Sequence, residues 1–122
     1  LSPLVIEKKE LRSGSGGAGK FRGGLGQTIQ FRVRTREPFV CSILCDRTRT
    51  PAQGFFGGLP GARGQVLING RPPANPKAEQ VLSPDAVVEI RLPGGGGYGR
   101  PEARDPELAR RDLREGYVVG TP

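Results

Sequence analysis

The chain has no histidine, and this absence removes more chemistry than any other feature of its composition. Without an imidazole there is no Ser/His or Cys/His pair for nucleophilic catalysis, and the commonest metal ligand is missing. Only two cysteines are present, Cys41 and Cys45. On one extended strand at ~3.3 Å per residue they stand about 13 Å apart, beyond the ~7 Å Cα separation that a disulfide tolerates. They are expected to be reduced and buried, and they cannot complete a metal site by themselves. Apolar side chains are sparse: hydrophobic residues make up 34% of 122. The roughly 45–50% of an ordinary domain is reached only by counting glycine. No apolar run approaches the ~18 residues of a membrane span, and no signal peptide is visible. Cytoplasm is therefore the default, with no membrane partner. A core this lean, and an opening at Leu1 rather than methionine, predict a loop-rich domain or a piece of a larger protein that leans on its neighbours.

What the chain does have is glycine, proline and arginine: 20 glycines, 12 prolines, and 19 basic against 12 acidic residues, a net charge of +7. Fifteen of the basic residues are arginine. A basic balance invites a nucleic-acid reading, but the positive charges are scattered rather than clustered, which argues against it.

Periodicity locates the strands. Leu4 to Leu11 reads as the first, with Val5 and Ile6 at its centre. Thr28 to Arg36 alternates: Ile29, Phe31 and Val33 face one side, Gln30, Arg32, Arg34 and Arg36 the other. A period of two means a strand with one buried face. Phe39 to Cys45 reads as a strand with Phe39, Cys41, Ile43 and Cys45 on one face. Gln65 to Asn69 is a short strand closed by an Asn69-Gly70 turn signal, and Val87 to Leu92 is another. Between them, residues 71–85 read as a proline-rich loop. The one good helix lies near the end. Asp105 suits the N-cap, Pro106 the first turn and Glu107 the positive helix terminus; Leu108, Ala109, Asp112 and Leu113 follow, and Gly116 can end it. The fold expected is mainly β, an antiparallel sandwich- or barrel-like segment with long glycine-rich loops and one short C-terminal helix, in a single domain over 1–122.

The stretch GSGGAGKFRGG, Gly14 to Gly24, nearly spells a nucleotide loop. Gly14, Gly19 and Lys20 fit the start of G-x-x-x-x-G-K-[ST], and Gly14, Gly16 and Gly19 fit G-x-G-x-x-G. The chemistry fails at the next position: Phe21 stands where a magnesium-binding hydroxyl is needed, and RGGLGQ does not start a helix. The dinucleotide fingerprint lacks its strand-end acid as well, since Glu37 precedes Pro38. Glycine also permits positive φ and close backbone approach, and successive glycine N–H groups can form an anion nest beside Lys20 and Arg22. Gly94 to Gly97, at the end of a strand, invites the same two readings. Asp46, next to Arg47, is the best single carboxylate candidate, against an ordinary role as turn cap or ion pair.

Three blocks resemble a known family: SGSGGAGKFRGGLGQ (Ser13 to Gln27), DRTRTPAQGFFGGLPGARG (Asp46 to Gly64) and LPGGGGYGRPEARDPELARRDLREGYV (Leu92 to Val118). In order and spacing they are similar to the C-terminal part of the hydantoinase B / oxoprolinase family, of the N-methylhydantoinase B type. The resemblance implies a longer parent that acts with, or is fused to, a hydantoinase A-type ATP-binding subunit. It implies ATP-dependent ring opening of cyclic amides such as N-methylhydantoin or 5-oxoproline, by phosphorylation of a poorly reactive carbonyl oxygen. ATP and Mg would sit mainly on the partner subunit, and any divalent metal on ligands upstream of this segment, with no metal ligands here. Two positions depart from the family's pattern: Arg100 stands where an aspartate often follows GGGGYG, and Gly14 replaces the acid of DSGGAG.

No catalytic residue can be named. The candidates for facing substrate or interface are Lys20, Arg22, Asp46, Arg47, Arg49 and the loop Gly94, Gly95, Gly96, Gly97 and Tyr98, chosen as basic side chains beside glycine loops. The isolated chain is expected to be inactive. Two alternatives stand beside the hydrolase: an ATP-dependent ketone carboxylase subunit of the same family, and a non-enzymatic basic module using Arg32, Arg34 and Arg36.

Overall fold

A computed structural model describes residues 3–43, 47–75 and 78–119. The first strand, β1 (Leu4–Leu11), pairs antiparallel with β2 (Gln27–Val33), with a register shift between Ile6 and Lys8. β2 pairs with β6 (Val88–Arg91), and β6 with β4 (Gln65–Ile68). The sheet order is β1-β2-β6-β4. A second, two-stranded antiparallel sheet joins β3 (Phe39–Cys41) to β5 (Gln80–Leu82).

The core lies between these sheets. Leu82, Ala86 and Val88 form its buried centre, and Phe31, Phe39, Cys41, Ile43, Ile68 and Ile90 pack around it. Phe31 and Ile68 both stand opposite Val88 in register, so three neighbouring strands turn the same face inward. The alternation read in β2 thus does what period two requires. Two antiparallel layers with a shared core make the architecture sandwich-like rather than a closed barrel. Val66 and Leu67 extend the buried set, but the core stays small, as the composition implied.

Three elements differ from the sequence reading. The strand expected to reach Arg36 stops at Val33, because Thr35 turns the chain: its hydroxyl accepts the Glu37 N–H at 3.2 Å, and Pro38 follows. The proline-rich loop contains β5, whose Leu82 is buried in the core. Three residues are too few to show a period, so the sequence pattern missed it. The strand expected over Phe39 to Cys45 is β3 in its first three residues; Ile43 still reaches the core, while Cys45 lies outside the described residues.

Asn69-Gly70 forms the expected turn, with φ of 52° and 81° and hydrogen bonds of 2.8 and 3.1 Å between Ile68 and Arg71. These are the type I′ signs at both central residues. The helix α1 (Pro106–Arg114) begins as its sequence dictates: the Asp105 carboxylate accepts the Glu107 N–H at 2.9 Å. It ends before Gly116, at φ 77°. No described helix is long and apolar enough to cross a membrane.

Cys41 is free and partly buried, and desolvation pushes its thiol pKa up. Its thiolate population near pH 8 is therefore smaller than that of a solvated cysteine. Iodoacetamide should label Cys41 more slowly in the native chain than in urea, as read by peptide mass spectrometry; equal rates would contradict the burial.

Candidate functional site

Three glycine-rich segments run together beside the sandwich: 14–26, 53–61 and 93–99. None forms a regular strand over this length, yet their backbones are cross-linked. Gly17 donates to Gly95 O at 2.9 Å, Gly95 to Gly24 O at 2.9 Å, and Gly97 to Leu59 O at 2.9 Å. Leu59 donates to Ala18 O at 2.8 Å, Ala62 to Ser15 O at 2.8 Å, and Gly94 to Ala62 O at 3.1 Å. Each segment thus bonds to both others.

The spacing explains the composition. A methyl group on Gly94 would stand 1.8 Å from Ser15 O, on Gly23 2.1 Å from Gly95 O, on Gly96 2.1 Å from Gln53 O, and on Gly97 2.2 Å from Ala18 O. Chains this close admit only glycine, the steric rule that also governs the collagen axis. The N–H groups of Gly17, Gly23, Gly94, Gly95 and Gly97 are all bonded to carbonyls, which leaves them unavailable to cradle a phosphate.

The bundle has one charged side. Asp112, on α1, is 2% exposed. Its Oδ2 accepts from Arg104 Nη2 at 2.8 Å and from Arg22 Nε at 3.2 Å. Asp112 Oδ1 and Arg104 Nε are buried without partners. One is an acceptor and the other a donor, so together they are the missing half of a bidentate guanidinium–carboxylate fork. Arg104 also donates to Lys20 O at 3.1 Å, and Arg22 lies 5.5 Å from the centre of the Tyr117 ring. The Tyr117 phenol is raised above its ordinary pKa, first by its hydrogen bond to Glu115. Arg22, Arg104 and Asp112 line a cleft of about 460 Å³ whose other walls include Leu59, Leu113 and Val119.

Its other side is aromatic. Phe21 and Tyr98 exchange backbone hydrogen bonds of 2.9 Å each way, and their ring centres are 6.2 Å apart. Phe56 lies 5.2 Å from Tyr98. Phe55 donates to Gly97 O at 3.0 Å, and the Lys20 ammonium sits 5.5 Å from the Phe21 ring centre.

The structure brings Lys20, Arg22, Gly94, Gly95, Gly96, Gly97 and Tyr98 into this one junction. Lys20 and Tyr98 keep exposed side chains, while Arg22 turns inward to Asp112. Arg47 and Arg49 are exposed in the segment after β3, and the Arg47 carbonyl accepts from Gly64 at 2.9 Å. Asp46 lies outside the described residues. Arg32 on β2 and Arg34 and Arg36 beyond its end stay exposed, with Arg32 3.5 Å from Glu7. Gly14 has φ 75° and faces Val119, a left-handed position that suits glycine in place of the family's acid. Arg100, in place of the other acid, is exposed and packs its side chain against Gly57.

Sequence reasoning missed Asp112 and Arg104. The signal was present: Asp112 follows Leu108 by four and precedes Leu113 by one, a carboxylate on the apolar stripe of a short helix. Such a residue needs a buried cation. Among the described residues, no three His, Cys, Asp or Glu side chains converge as a metal site.

The Hydantoinase B/oxoprolinase family model matches residues 1–101. The chain is 38% identical to the 5-oxoprolinase PfmaA of Pestalotiopsis fici, over 81% of this chain and 8% of that protein. It is 29% identical to a putative D-/L-hydantoinase subunit, of the B type, from a Pseudomonas strain, over 96% of this chain and 20% of that protein. Among solved structures it is similar to the ATP-dependent caprolactamase of Pseudomonas jessenii, with a TM-score of 0.72 and 27% identity over 96% of this chain and 21% of that one. The chain thus spans about a fifth or less of the length of these relatives. On this match the chain belongs to the hydantoinase B/oxoprolinase family.

Proposed function

We infer that the chain is the C-terminal, mainly β part of an ATP-dependent cyclic-amide hydrolase of hydantoinase B type, working with an ATP-binding A-type subunit. The observation that carries this is the family match over residues 1–101, joined by the likeness to a caprolactamase over 96% of the chain. A relative named as one subunit of a hydantoinase supports a partner chain.

The chain's own residues bear on the division of labour. ATP phosphates find no cradle in the N–H groups of Gly17, Gly23, Gly94, Gly95 and Gly97, which are bonded to neighbouring carbonyls, and Phe21 stands where the magnesium hydroxyl is needed. A divalent metal does not fit the described residues either. Both observations favour ATP and Mg on the partner subunit, with any further metal elsewhere in a longer polypeptide. The supply of a phosphoryl group to the ring carbonyl belongs to that assembly. This segment contributes a stiff backbone bundle that presents Lys20 and Tyr98 on one face and holds Arg22 in a buried ion pair on another. Among the described candidates, Lys20, Tyr98, Arg47 and Arg49 keep exposed side chains that can face substrate or a subunit, and the segment alone is expected to be inactive.

The test is ADP release by the parent protein with its A-type partner. 5-Oxoproline, hydantoins, and a ketone with bicarbonate are compared. Stimulation by one cyclic amide is the expected result. Stimulation only by ketone plus bicarbonate would replace the hydrolase with the carboxylase, since only carboxylation consumes bicarbonate. No stimulation in a folded, ATP-binding complex would reject both.

A further inference from the structure

The chain has five phenylalanines and two tyrosines. Phe31 and Phe39 serve the core, and Tyr117 stacks near Arg22. The other four, Phe21, Phe55, Phe56 and Tyr98, gather at the bundle's tip with exposures of 56%, 67%, 76% and 50%. A chain this short of apolar side chains thus leaves most of its aromatics in one surface cluster, where Leu59 is half exposed as well. Clustered exposed apolar groups mark an interaction surface, whereas isolated ones do not.

A second, independent observation concerns the backbone. Phe56 has φ 50° and Gly57 φ 90°, and Gly58 donates to Phe55 O at 2.9 Å. This is a tight turn with two left-handed central residues, a shape that favours Asn, Asp or Gly. A bulky aromatic there is held in a strained backbone conformation. Burial inside this chain does not offset it, because Phe56 is the most exposed of the four. The tip is also held rigid: hydrogen bonds from Phe21, Tyr98, Phe55 and Gly99 fix it on three sides. A preordered aromatic surface binds with little loss of side-chain entropy.

We propose that this tip is a docking surface for the remainder of the longer polypeptide. The inference rests on the reading of the chain as part of a longer protein. The caprolactamase holds this fold within a single chain of which it is 21%, so in that relative about four fifths of the same chain is available to cover it. Lys20 beside Phe21 and Arg100 beside Gly57 edge the cluster, and the chain's net charge is +7. The covering surface is therefore apolar at its centre with carboxylates at its rim, aromatic anchors meeting a pocket inside a polar border.

The experiment places p-benzoyl-phenylalanine at position 56 of the parent protein and maps photo-crosslinks by mass spectrometry, after its intact mass is measured. Crosslinks to peptides of the same polypeptide outside this segment are expected, and Tyr98→Asp should abolish them. A native product of about 13 kDa, this chain's own mass, would remove the longer polypeptide and overturn both readings. A longer product crosslinked only to a separate subunit, to a second copy, or to nothing would overturn the docking surface alone.

Discussion

Asp112→Asn should lower the stability of the protein by about 3–5 kcal/mol, the range for breaking a buried ion pair from one side. Asn keeps the shape of the side chain and removes its charge. Arg22 and Arg104, whose side chains are 17% and 13% exposed, would then face each other's charge without a carboxylate between them. The loss is larger than for an exposed pair, which contributes about 0–1 kcal/mol. Arg110 and Glu107, mostly exposed on the same helix, supply that comparison. Urea unfolding should show a large fall in midpoint for Asp112→Asn and almost none for Glu107→Gln. Replacing Asp112 by Leu together with Arg104 by Met should cost less than Asp112→Asn alone, because it removes one stranded cation with the anion. Equal midpoints for Asp112→Asn and Glu107→Gln would show that the triad contributes nothing.

The second large effect concerns single methyl groups. Gly23→Ala, Gly94→Ala and Gly97→Ala should each cost about 3 kcal/mol, at or above the upper end for overpacking. The obstructing atoms are backbone oxygens of Gly95, Ser15 and Ala18, at 2.1, 1.8 and 2.2 Å. A side chain can rotate away from a clash, but these carbonyls are fixed by hydrogen bonds within the bundle. Gly24→Ala is the control. Nothing lies within 4 Å of a methyl there, so the change should fall within about 0.5 kcal/mol, as surface substitutions do. Thermal unfolding of the four variants decides the matter. If Gly24→Ala is as damaging as Gly94→Ala, chain flexibility rather than close approach governs these positions.

The sequence was legible where one element could speak for itself. The alternation in β2, the Asn69-Gly70 turn, and Asp105 with Pro106 at the start of α1 are local signals. Each is read over a few neighbouring residues, and each occurs in the structure. The glycine segments were legible only by exclusion: Phe21 ruled out a phosphate loop, but nothing local shows that Gly23 lies against Gly95. Arg22 was read together with Lys20 as flanking an anion nest of glycine N–H groups. Its true partner is Asp112, 90 residues away. β5 was hidden for a related reason, since Gln80–Leu82 is a strand only because β3 lies beside it. Tertiary pairing decided these cases, and it leaves no periodic trace.

The order of synthesis gives the bundle a further consequence. Residues 14–26 leave the ribosome well before their partners, Gly94 to Tyr98 and then Asp112. Ser13 donates to Gly116 O, 103 residues later, and Arg12 reaches Leu92 O across 80. Closures this long carry a high entropic cost before any bond forms, and topologies rich in them fold slowly. Until α1 and the turn after it emerge, Arg22 lacks its carboxylate partner, and Ser13 and Gly14 lack their acceptors on Gly116 and Tyr117. Helix α1 and the turn after it therefore act as a latch on residues 13–26, and a ribosome-stalled product ending at Arg104 should be more sensitive to protease in that segment than the released protein.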